Sequence, residues 1–591
     1  MLLASVDWII IAAYFAFSLF IGLWVSRKSG ESSSEFFLSG RSMSWWLLGV
    51  SMVATTFSAD TPNLVTGFVR KDGVAGNWAW WAFLLTGMLT VFMYAKLWRR
   101  AGILTDLEFY EMRYSGKIAV FLRGFRALYL GIILNVLIMA TVSLAAIKIG
   151  NIMLGADPVV TVVVATVITA AYSTFGGFKS VIITDFFQFI LAMGGTIWAA
   201  IYLVNMPEVG GLTQMLQHPN VVPKLDMIPD FNSDLFFTLI LIPIAVQWWS
   251  VWYPGAEPGG GGYIAQRMLA AKSEKNAIKA TLFFNIAHYA LRPWPWILVA
   301  LASLIVFPEL KDIKAQFPNV ADQYIAHDLA YPAMMSLLPA GLIGLLISGL
   351  AAAYMSTIAT HLNWGSSYVA NDFYKRFINP EATEKQIVNV GRLSTIFLAV
   401  VSSYIALQLK SAQQTFDMLI QFGAGTGLIY ILRWFWWRVN AWSEITGMIV
   451  SALVAIYFNF IYEGDMSSSM KLVSGVAITT IGWLVVTFLT QPTNYQTLLK
   501  FYQQIKPAAF GWKPVVDKGL QSGELQKNEV DAGQLPLEFA CMILGCFLVY
   551  TSLFSVGFWI YGKYTFALIL TVMAIASSYG LFRIFGKLRT L

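Results

Sequence analysis

The chain has 591 residues, of which 57% are hydrophobic and only 12% are charged, and its formal net charge is +7. Soluble proteins carry about 25% charged residues, so this composition excludes an ordinary soluble domain. Apolar runs of about 17–25 residues, the length that crosses the hydrocarbon core as a helix, recur from end to end, and the short alternating segments of a β-barrel are missing. We therefore predict an all-α polytopic membrane protein.

Fifteen membrane spans are predicted in chain order. The first is too long for a signal-peptide core and follows Asp7 rather than a basic segment, so we expect it to be retained as a helix. The spans cover residues 8–26, 43–69, 77–98, 118–150, 159–175, 181–205, 235–254, 278–306, 333–370, 391–409, 415–434, 443–463, 473–490, 537–557 and 564–583.

The basic residues predict the orientation of the chain. Most of the 39 Lys and Arg residues fall in alternate loops, including "RK" at 27–28, "KLWRR" at 96–100 and "KR" at 375–376. The positive-inside rule then places the N-terminus outside and the C-terminus in the cytoplasm. This bias explains the net charge, so no nucleic-acid partner is expected. The predicted outer loops contain no Asn-x-Ser/Thr acceptor, which is compatible with a bacterial cell membrane.

Two predicted spans contain helix-breaking residues. The second includes "SMVATTFSADTPN" at 51–63, and the seventh leads into "YPGAEPGGGG" at 253–262. These spans are five apart and cross the membrane in opposite directions, as corresponding broken helices of an inverted repeat do around a central solute site. Pro and Gly are also common in ordinary membrane helices, so the pairing stays open on this evidence alone.

One helix face in "GLAAAYMSTIATHLN" at 349–363 carries small and hydroxyl side chains. Ala353, Ser356, Thr357 and Thr360 are three, four and seven residues apart and therefore share a face. Hydroxyl oxygens and the free carbonyls of an unwound helix are ligands for sodium. Small residues on this face would equally allow close packing of helices.

Asp185 stands about one turn inside a predicted span. A carboxylate there costs about 2.5–3.5 kcal/mol on insertion scales, so it should face a cavity or a partner. The alternative is an interfacial carboxylate that is hydrated from the cytoplasm.

Four sequence blocks together resemble the sodium/solute symporter family, which includes sodium-coupled sugar, proline, sialate, iodide and vitamin carriers. They are "SMVATTFSADTP", "YSTFGGFKSVIITDFFQ", "QRMLAAKSEKNA" and "AAAYMSTIATHLN…ANDFYKRF…GRL". The resemblance runs through the first thirteen spans. It implies a LeuT-like fold of five plus five inverted helices after one extra N-terminal helix, with alternating access to a central site.

The resemblance implies a division of the chain into six parts. These are 1–42, the extra N-terminal helix and a cytoplasmic loop; 43–205 and 206–434, the two inverted repeats; 435–490, two further core helices; 491–536, a cytoplasmic linker; and 537–591, two C-terminal helices and the tail.

The resemblance also implies the sodium ligands. The main site would use the carbonyls of Ala54, Phe57 and Ala353 and the hydroxyls of Ser356 and Thr357. In some members an acidic residue matching Asp185 helps to hold a second sodium, to which Thr360 would contribute here. Ala359 occupies a place where two-sodium members can have serine, so the second ion stays open.

The residues that would contact the solute depart from the family patterns. Trp80 stands where sugar carriers have a glutamate, and Thr56 stands where proline carriers have an aspartate, so neither specificity is inherited. Gln421 matches a substrate-contacting glutamine of the sugar carriers, and His288 aligns with their sugar-contacting lysine. Gln247 lies just before "PGAEPGGGG", a link longer than the family's usual one.

His288 and Arg292 lie one turn apart in the middle of the eighth span, within "FNIAHYALRPWPWIL" at 284–298. Arginine stays charged and presents a planar set of donors that suits a carboxylate. One interpretation is that Arg292 binds an organic acid, an amino acid or an acidic sugar. The other is an internal contact, either an ion pair with Asp60 or hydrogen bonds to carbonyls freed by the prolines, and it would leave room for a neutral sugar or polyol.

We expect a sodium-coupled symporter that imports a small polar solute. A sensor would need long cytoplasmic domains, and an ATP-driven pump would need a Gly-x4-Gly-Lys-Ser/Thr loop, which is absent. No His-Glu-x-x-His or comparable nucleophile arrangement predicts an enzyme. The predicted partners are sodium, the solute and the lipid bilayer.

Overall fold

The computed structural model describes residues 3–25, 32–531 and 533–588. The described residues contain no β-strand, so the all-α prediction is confirmed. The basic pair at 27–28 and residues 589–591 of the tail lie outside the described residues. We label the main helices in chain order and leave the short loop helices unlabelled.

The main helices are α1 (Ser5–Val25), α2 (Trp45–Phe57), α3 (Asp60–Asp72), α4 (Val74–Ala101), α5 (Gly116–Leu154), α6 (Pro158–Val204), α7 (Asp234–Ser250), α8 (Gly262–Ala270), α9 (Glu274–Val306), α10 (Leu342–Ile378), α11 (Glu384–Ala406), α12 (Ala412–Gly423), α13 (Gly427–Phe435), α14 (Ala441–Ile461), α15 (Ser468–Leu489), α16 (Tyr495–Ile505), α17 (Lys513–Ser522), α18 (Leu535–Ile560) and α19 (Tyr564–Phe585).

Ten helical segments within the described residues are long and apolar enough to cross a membrane. Four shorter apolar helices, at the start of α1, in α2, in the first part of α6 and in α7, account for further predicted spans. The predicted span at 415–434 corresponds to α12 and α13.

Helix α6 is 47 residues long, about twice what a membrane requires. A Cβ atom on Gly349 of α10 would lie 3.1 Å from the Cα atom of Ala192, while Ile168 shares an apolar cavity with Leu350 of the same turn. In a straight helix, residues 168 and 192 would be about 36 Å apart and could not both reach this turn. The segment is therefore not one straight helix, and its two apolar parts correspond to the predicted spans 159–175 and 181–205.

The second predicted span is broken, as its composition indicated. Helix α2 ends at Phe57 and α3 begins at Asp60, with Ser58 between them at φ +40° and ψ 149°. The carbonyls of the last turn of α2 have no partners further along their own helix. The break therefore places free backbone oxygens in the interior of the protein.

The link between α7 and α8 pairs with a second break, between α12 and α13. The N–H of Trp252 donates to the carbonyl of Gly423 at 3.1 Å, and the N–H of Gly425 donates to the carbonyl of Ser250 at 2.8 Å. Gly425 has φ +80°, a conformation that glycine adopts without strain. Glycine is also required at 423, because a Cβ atom there would overlap the carbonyl of Trp252. Two unwound segments are thus joined through their backbones.

The predicted linker at 491–536 contains α16 and α17, which pack on one end of the bundle. The indole of Trp512 donates to the carbonyl of Trp434 at 2.9 Å, and the guanidinium of Arg113 lies 4.8 Å from the ring centre of Trp512. Arg100 and Glu274 form an ion pair at 3.0 Å beside them. We call this the basic end of the bundle; it carries residues 99–115, 371–383, α16 and α17.

The two C-terminal helices form a layer outside the core, and α18 makes most of the contacts with it. The hydroxyl of Tyr550 donates to the carbonyl of Trp81 in α4, and the indole of Trp294 in α9 donates to the carbonyl of Leu553, each at 2.9 Å. Helix α19 packs on α18 and is mostly exposed to the surrounding medium. Because α4 and α9 carry Trp80, His288 and Arg292, α18 supports the helices that hold these candidate site residues.

Candidate solute and sodium site

A central cavity of about 120 Å³ lies where the breaks in α2–α3 and α7–α8 meet α4, α5, α9, α10 and α12. Five of the seven predicted solute-contacting residues line it, namely Thr56, Asp60, Trp80, His288 and Arg292.

The other two predicted residues lie outside the cavity lining. The amide of Gln247 donates to the carbonyl of Ala79 at 2.7 Å. The side-chain oxygen of Gln421 accepts a hydrogen bond from the amide of Asn459 at 2.5 Å. Both glutamines therefore connect neighbouring helices, and their solute contacts stay a prediction.

Local helix geometry places the charged pair of α9. Residues Ala287–Leu291 form a π-helical turn, and Pro293 follows as the first residue of the next α-helical section. A π-turn shifts the register of the side chains, and a proline cannot donate to the preceding turn. His288 and Arg292 consequently project toward α2 from a distorted part of the helix.

Arg292 is 1% exposed and binds only neutral groups among the described residues. Its Nη1 donates to the carbonyl of Val53 at 3.3 Å and to the hydroxyl of Thr56 at 3.2 Å, and its Nη2 lies 3.2 Å from Nε2 of His288. Its Nε has no hydrogen-bond partner. The ion pair with Asp60 that the sequence left open does not form within 4.0 Å in the described structure.

The hydrogen bonds around Thr56 determine which ring nitrogen of His288 carries the proton. The hydroxyl of Thr56 can give its single hydrogen to the carbonyls of Met52 or Val53, at 3.0 and 3.1 Å. It then accepts from Nδ1 of His288 at 2.9 Å, which leaves Nε2 as the acceptor for Arg292. His288 is therefore the neutral tautomer with its proton on Nδ1, and it adds no charge to the cavity.

Asp60 begins the first turn of α3, where the helix dipole favours a negative charge. Its Oδ1 atom is buried without a hydrogen-bond partner, and so is the hydroxyl of Ser58 beside it. The cavity thus presents an acidic group on α3 and a basic group on α9 that do not neutralise each other directly.

Aromatic rings form much of the remaining wall. The ring of Trp80 is stacked on Tyr289 with centres 5.7 Å apart and meets His288 edge-on at 5.5 Å. Phe83 and Tyr253 stack at 5.3 Å. Flat apolar faces beside a few polar groups are typical of sites for small organic solutes.

One predicted sodium residue of α10, Thr357, contacts the last turn of α2. The hydroxyl of Thr357 is 2.7 Å from the carbonyl of Thr55 and 3.1 Å from that of Ala353. Ala54 and Phe57, whose carbonyls the resemblance implicates, belong to the same last turn of α2. Hydroxyl and carbonyl oxygens are the donor types that sodium accepts, so the residues fit the ion as cargo.

Asp185 is completely buried and belongs to a network that includes a cation missed by the sequence analysis. It accepts hydrogen bonds from Ser356 at 2.6 Å and Ser51 at 2.5 Å, and it lies 3.5 Å from Nη2 of Arg267. The same Nη2 donates to Thr360 at 2.9 Å. The two residues predicted for a second sodium thus meet around a guanidinium, and the second ion stays a prediction.

Arg267 could have been anticipated from its position. It stands in the apolar helix "GYIAQRMLA" at 262–270, where a charged residue requires a buried partner. Its partner is far away in sequence, and no local pattern pairs position 267 with position 185. Tyr253 and His361, which also line the cavity, carried no signal that distinguished them from other polar residues in spans.

The comparisons with known proteins agree with this geometry. A family model described as the sodium:solute symporter family matches residues 36–451. The chain is 27% identical over 509 residues to a sodium/glucose cotransporter of Vibrio parahaemolyticus, covering 83% of this chain and 90% of the relative. It is 26% identical to sodium/glucose cotransporter 4 of Mus musculus, over 83% of this chain and 76% of that protein.

A solved structure of a Na⁺-coupled sialic acid symporter, in a substrate-bound outward-open state, superposes with a TM-score of 0.66. It is 21% identical and covers 83% of this chain and 99% of that one. The fold is LeuT-like, and its broken helices and central cavity define a sodium-coupled secondary transporter. The chain belongs to the sodium:solute symporter family, and sodium is its co-transported ion.

Proposed function

We propose that the solute is an acidic sugar or another organic acid or amino acid, imported with sodium by alternating access. The observation that carries the proposal is Arg292. Its buried guanidinium lines the cavity, hydrogen-bonds only to neutral groups and has no carboxylate within ion-pair distance among the described residues. Buried charges are costly without a partner, and a solute carboxylate would supply one.

Asp60 supports a solute with a second polar function. Asp60 lines the same cavity, and its carboxylate would accept a hydrogen bond from a hydroxyl or an ammonium group. The aromatic faces of Trp80 and Tyr289 would pack against the carbon skeleton. A sugar acid or an amino acid contains both groups, whereas a simple carboxylic acid contains one.

The alternative is a neutral sugar, which the names of the glucose-transporting relatives favour. In that case Arg292 would donate to sugar hydroxyls and Asp60 would balance its charge across the cavity. The two proposals differ in one chemical group on the solute, so a matched pair of ligands can separate them.

The orientation proposed from the sequence, with the C-terminus in the cytoplasm, puts the basic end on the inside. Inward movement of sodium supplies about 2.3 kcal/mol per charge for each 100 mV, in addition to its concentration gradient. The contact of Thr357 with the end of α2 would be replaced by sodium, which then holds α2 and α10 together while solute binds.

The experiment measures the melting temperature of the purified protein with glucuronate or glucose, in sodium or in choline, followed by a panel of amino acids. Ligands of the folded state raise this temperature by mass action. Arg292→Gln is compared with Arg70→Gln, because Arg70 is also buried but donates to Ser303 and Phe307 away from the cavity.

We expect an acidic ligand to stabilise the protein only in sodium, and Arg292→Gln but not Arg70→Gln to abolish the effect. Equal stabilisation by glucose would favour the neutral-sugar alternative. Stabilisation by an acidic ligand that survives Arg292→Gln would exclude Arg292 as its counterion.

A further inference from the structure

Glu257 is a buried carboxylate that the solute and sodium sites do not use. It stands in the unwound link "YPGAEPGGGG" at 253–262, between α7 and α8, and is 4% exposed. Neighbouring residues of the link, Tyr253 to Ala256, line the central cavity, but Glu257 itself does not. It lines two small spaces beside the link, one of which also includes Asp106 and Tyr110 of the basic end.

Among the described residues, no side chain donates a hydrogen bond to the carboxylate of Glu257, which lies near the backbone N–H groups of Gly255 and of Glu257 itself. No Lys or Arg side chain of the described residues lies within 4.0 Å of it. The nearby Asp106 shows the usual arrangement, since it accepts hydrogen bonds from the N–H of Gly262 and from the hydroxyl of Tyr368. An ionised carboxylate at 257 would therefore be buried without the compensation that its neighbour has.

The two guanidinium groups nearby hydrogen-bond to other side chains rather than to Glu257. The titratable and charged groups that face Glu257 are Asp106, Tyr110, Arg126, Tyr263, Tyr430 and Arg433. Arg126 donates to Tyr430 at 2.6 Å, and Arg433 donates to Tyr110 at 3.1 Å and pairs with Glu444 at 3.5 Å. The second space is lined by uncharged polar side chains, those of Thr90, Thr281 and Asn285.

The space around the carboxylate is too small for a hydrated metal ion. Each of the two flanking spaces measures about 10 Å³, and a single water needs about 10–15 Å³. A Cβ atom on Gly262 would lie 2.8 Å from Oε1, so the backbone packs directly against the carboxyl group. The two nearby guanidinium groups further oppose a metal cation. Binding of a proton requires no additional space.

We propose that Glu257 is a proton-binding site. The carboxyl group holds its proton while the α7–α8 link is closed around it. When the link opens to water, the O–H bond breaks, the proton passes to water and the carboxylate keeps the charge. Transport by this chain then responds to protons as well as to sodium, which goes beyond the sodium-coupled import proposed above and does not depend on the identity of the solute.

The first test compares the melting temperatures of the full-length wild-type protein and Glu257→Gln from about pH 5 to about pH 9, without solute and in choline. A glutamate in the unfolded chain ionises near pH 4.3, whereas Glu257 stays protonated in the native state. The native state then binds more protons, so wild-type stability falls as pH rises. Glutamine does not titrate, so the stability of Glu257→Gln should not fall with pH for this reason.

We expect the melting temperature of Glu257→Gln minus that of wild type to be near zero at about pH 5 and to grow by about 1 °C per pH unit. Glu208→Gln, a change at an exposed loop residue, is the control and should show no such trend. A difference that does not change with pH overturns the proposal.

Infrared spectroscopy gives a second readout that does not require the glutamine variant to fold. The wild-type protein should show the carbonyl band of a protonated carboxyl group at neutral pH, and Glu257→Asp should shift that band. Absence of a band assignable to residue 257 overturns the proposal. So does a sodium-dependent stabilisation that wild type shows and Glu257→Gln lacks, because the site would then bind sodium rather than a proton.

These outcomes are independent of the solute experiments. A solute proposal can fail in the ligand panel while the pH trend of Glu257 persists, and the converse also holds.

Discussion

The guanidinium of Arg267 lies 3.5 Å from the carboxylate of Asp185, and both side chains are fully buried. This pair joins α8 to the second half of α6, and the hydroxyls of Ser51 and Thr55 extend it to α2. Three helices that carry candidate site residues are thereby connected through one cation.

Removing one member of this pair should destabilise the protein more than removing both. Arg267→Met leaves a buried carboxylate without its counterion, and the loss of one partner of a buried pair costs about 3–5 kcal/mol. The double variant Asp185→Leu/Arg267→Met removes both charges and should recover part of the loss. Melting temperatures of the wild-type protein, Asp185→Leu, Arg267→Met and the double variant form a double-mutant cycle. A double variant as unstable as the sum of the singles would show that the two charges do not interact.

Thr357→Val should weaken the response to sodium. The valine keeps the shape of the side chain but removes the hydroxyl that contacts the end of α2. We expect the sodium concentration for half-maximal stabilisation to rise by about tenfold, equivalent to about 1.4 kcal/mol. The measurement is a sodium titration of the melting temperature, with choline keeping the ionic strength constant.

The matched control for this prediction is Thr395→Val. Thr395 is a buried threonine of α11 whose hydroxyl bonds to the carbonyl four residues earlier, as that of Thr357 does, but it does not contact α2. An equal effect of the two valines would mean that the hydroxyl of Thr357 has no specific role in sodium binding.

Gly423→Ala should damage the connection between the two unwound links. The added methyl group would overlap the carbonyl of Trp252 and displace the backbone pair between Trp252 and Gly423. Overpacking of this kind costs about 1–3 kcal/mol. Gly482→Ala is the control, because a Cβ atom at Gly482 meets Val450 only at an ordinary contact distance of 3.5 Å. Equal melting temperatures of the two variants would contradict the close approach of Gly423 to the carbonyl of Trp252.

Trp294→Phe should loosen α18 from the core. The substitution removes the hydrogen bond to the carbonyl of Leu553, and an internal hydrogen bond contributes about 0.5–1.5 kcal/mol. Because Trp294 is two residues from Arg292, solute binding should weaken as well. The control is Trp198→Phe, because Trp198 is 61% exposed. This change should leave the melting temperature and the solute binding unchanged. If Trp294→Phe keeps the wild-type stability and solute binding, α18 does not support the part of α9 that lines the central cavity.

The sequence predicted the fold because membrane spans have a strong local signal. The lengths of the apolar runs predicted the helices. Two of the broken spans were indicated by Pro62, Pro243 and the glycine run at 259–262. The third break, at Ala424 to Thr426, was not predicted, because the glycines within "QFGAGTG" do not distinguish an unwound segment from a helix, and glycine is common in membrane helices. The two apolar parts of α6 were predicted as two spans by hydropathy.

Side-chain pairing was the part that the sequence did not predict. It placed Arg292 and His288 on one face, but it did not show whether Asp60 reached the arginine, because that depends on the angle between α3 and α9. The pairing of Asp185 with Arg267 and the isolation of Glu257 are also results of tertiary packing. Gln247 and Gln421 were selected by alignment, and their orientation toward Ala79 and Asn459 follows from contacts between helices.

The joining of the α7–α8 and α12–α13 links through main-chain atoms has a consequence for substitutions in the cavity. Apart from the glycines, the identity of the side chains along these links does not affect the hydrogen bonds that hold them together. Residues such as Trp80 and His288, which shape the cavity, lie on other helices and can be exchanged while this framework persists. Substitutions at such positions should therefore change the shape of the cavity without breaking the hydrogen bonds that join the two links.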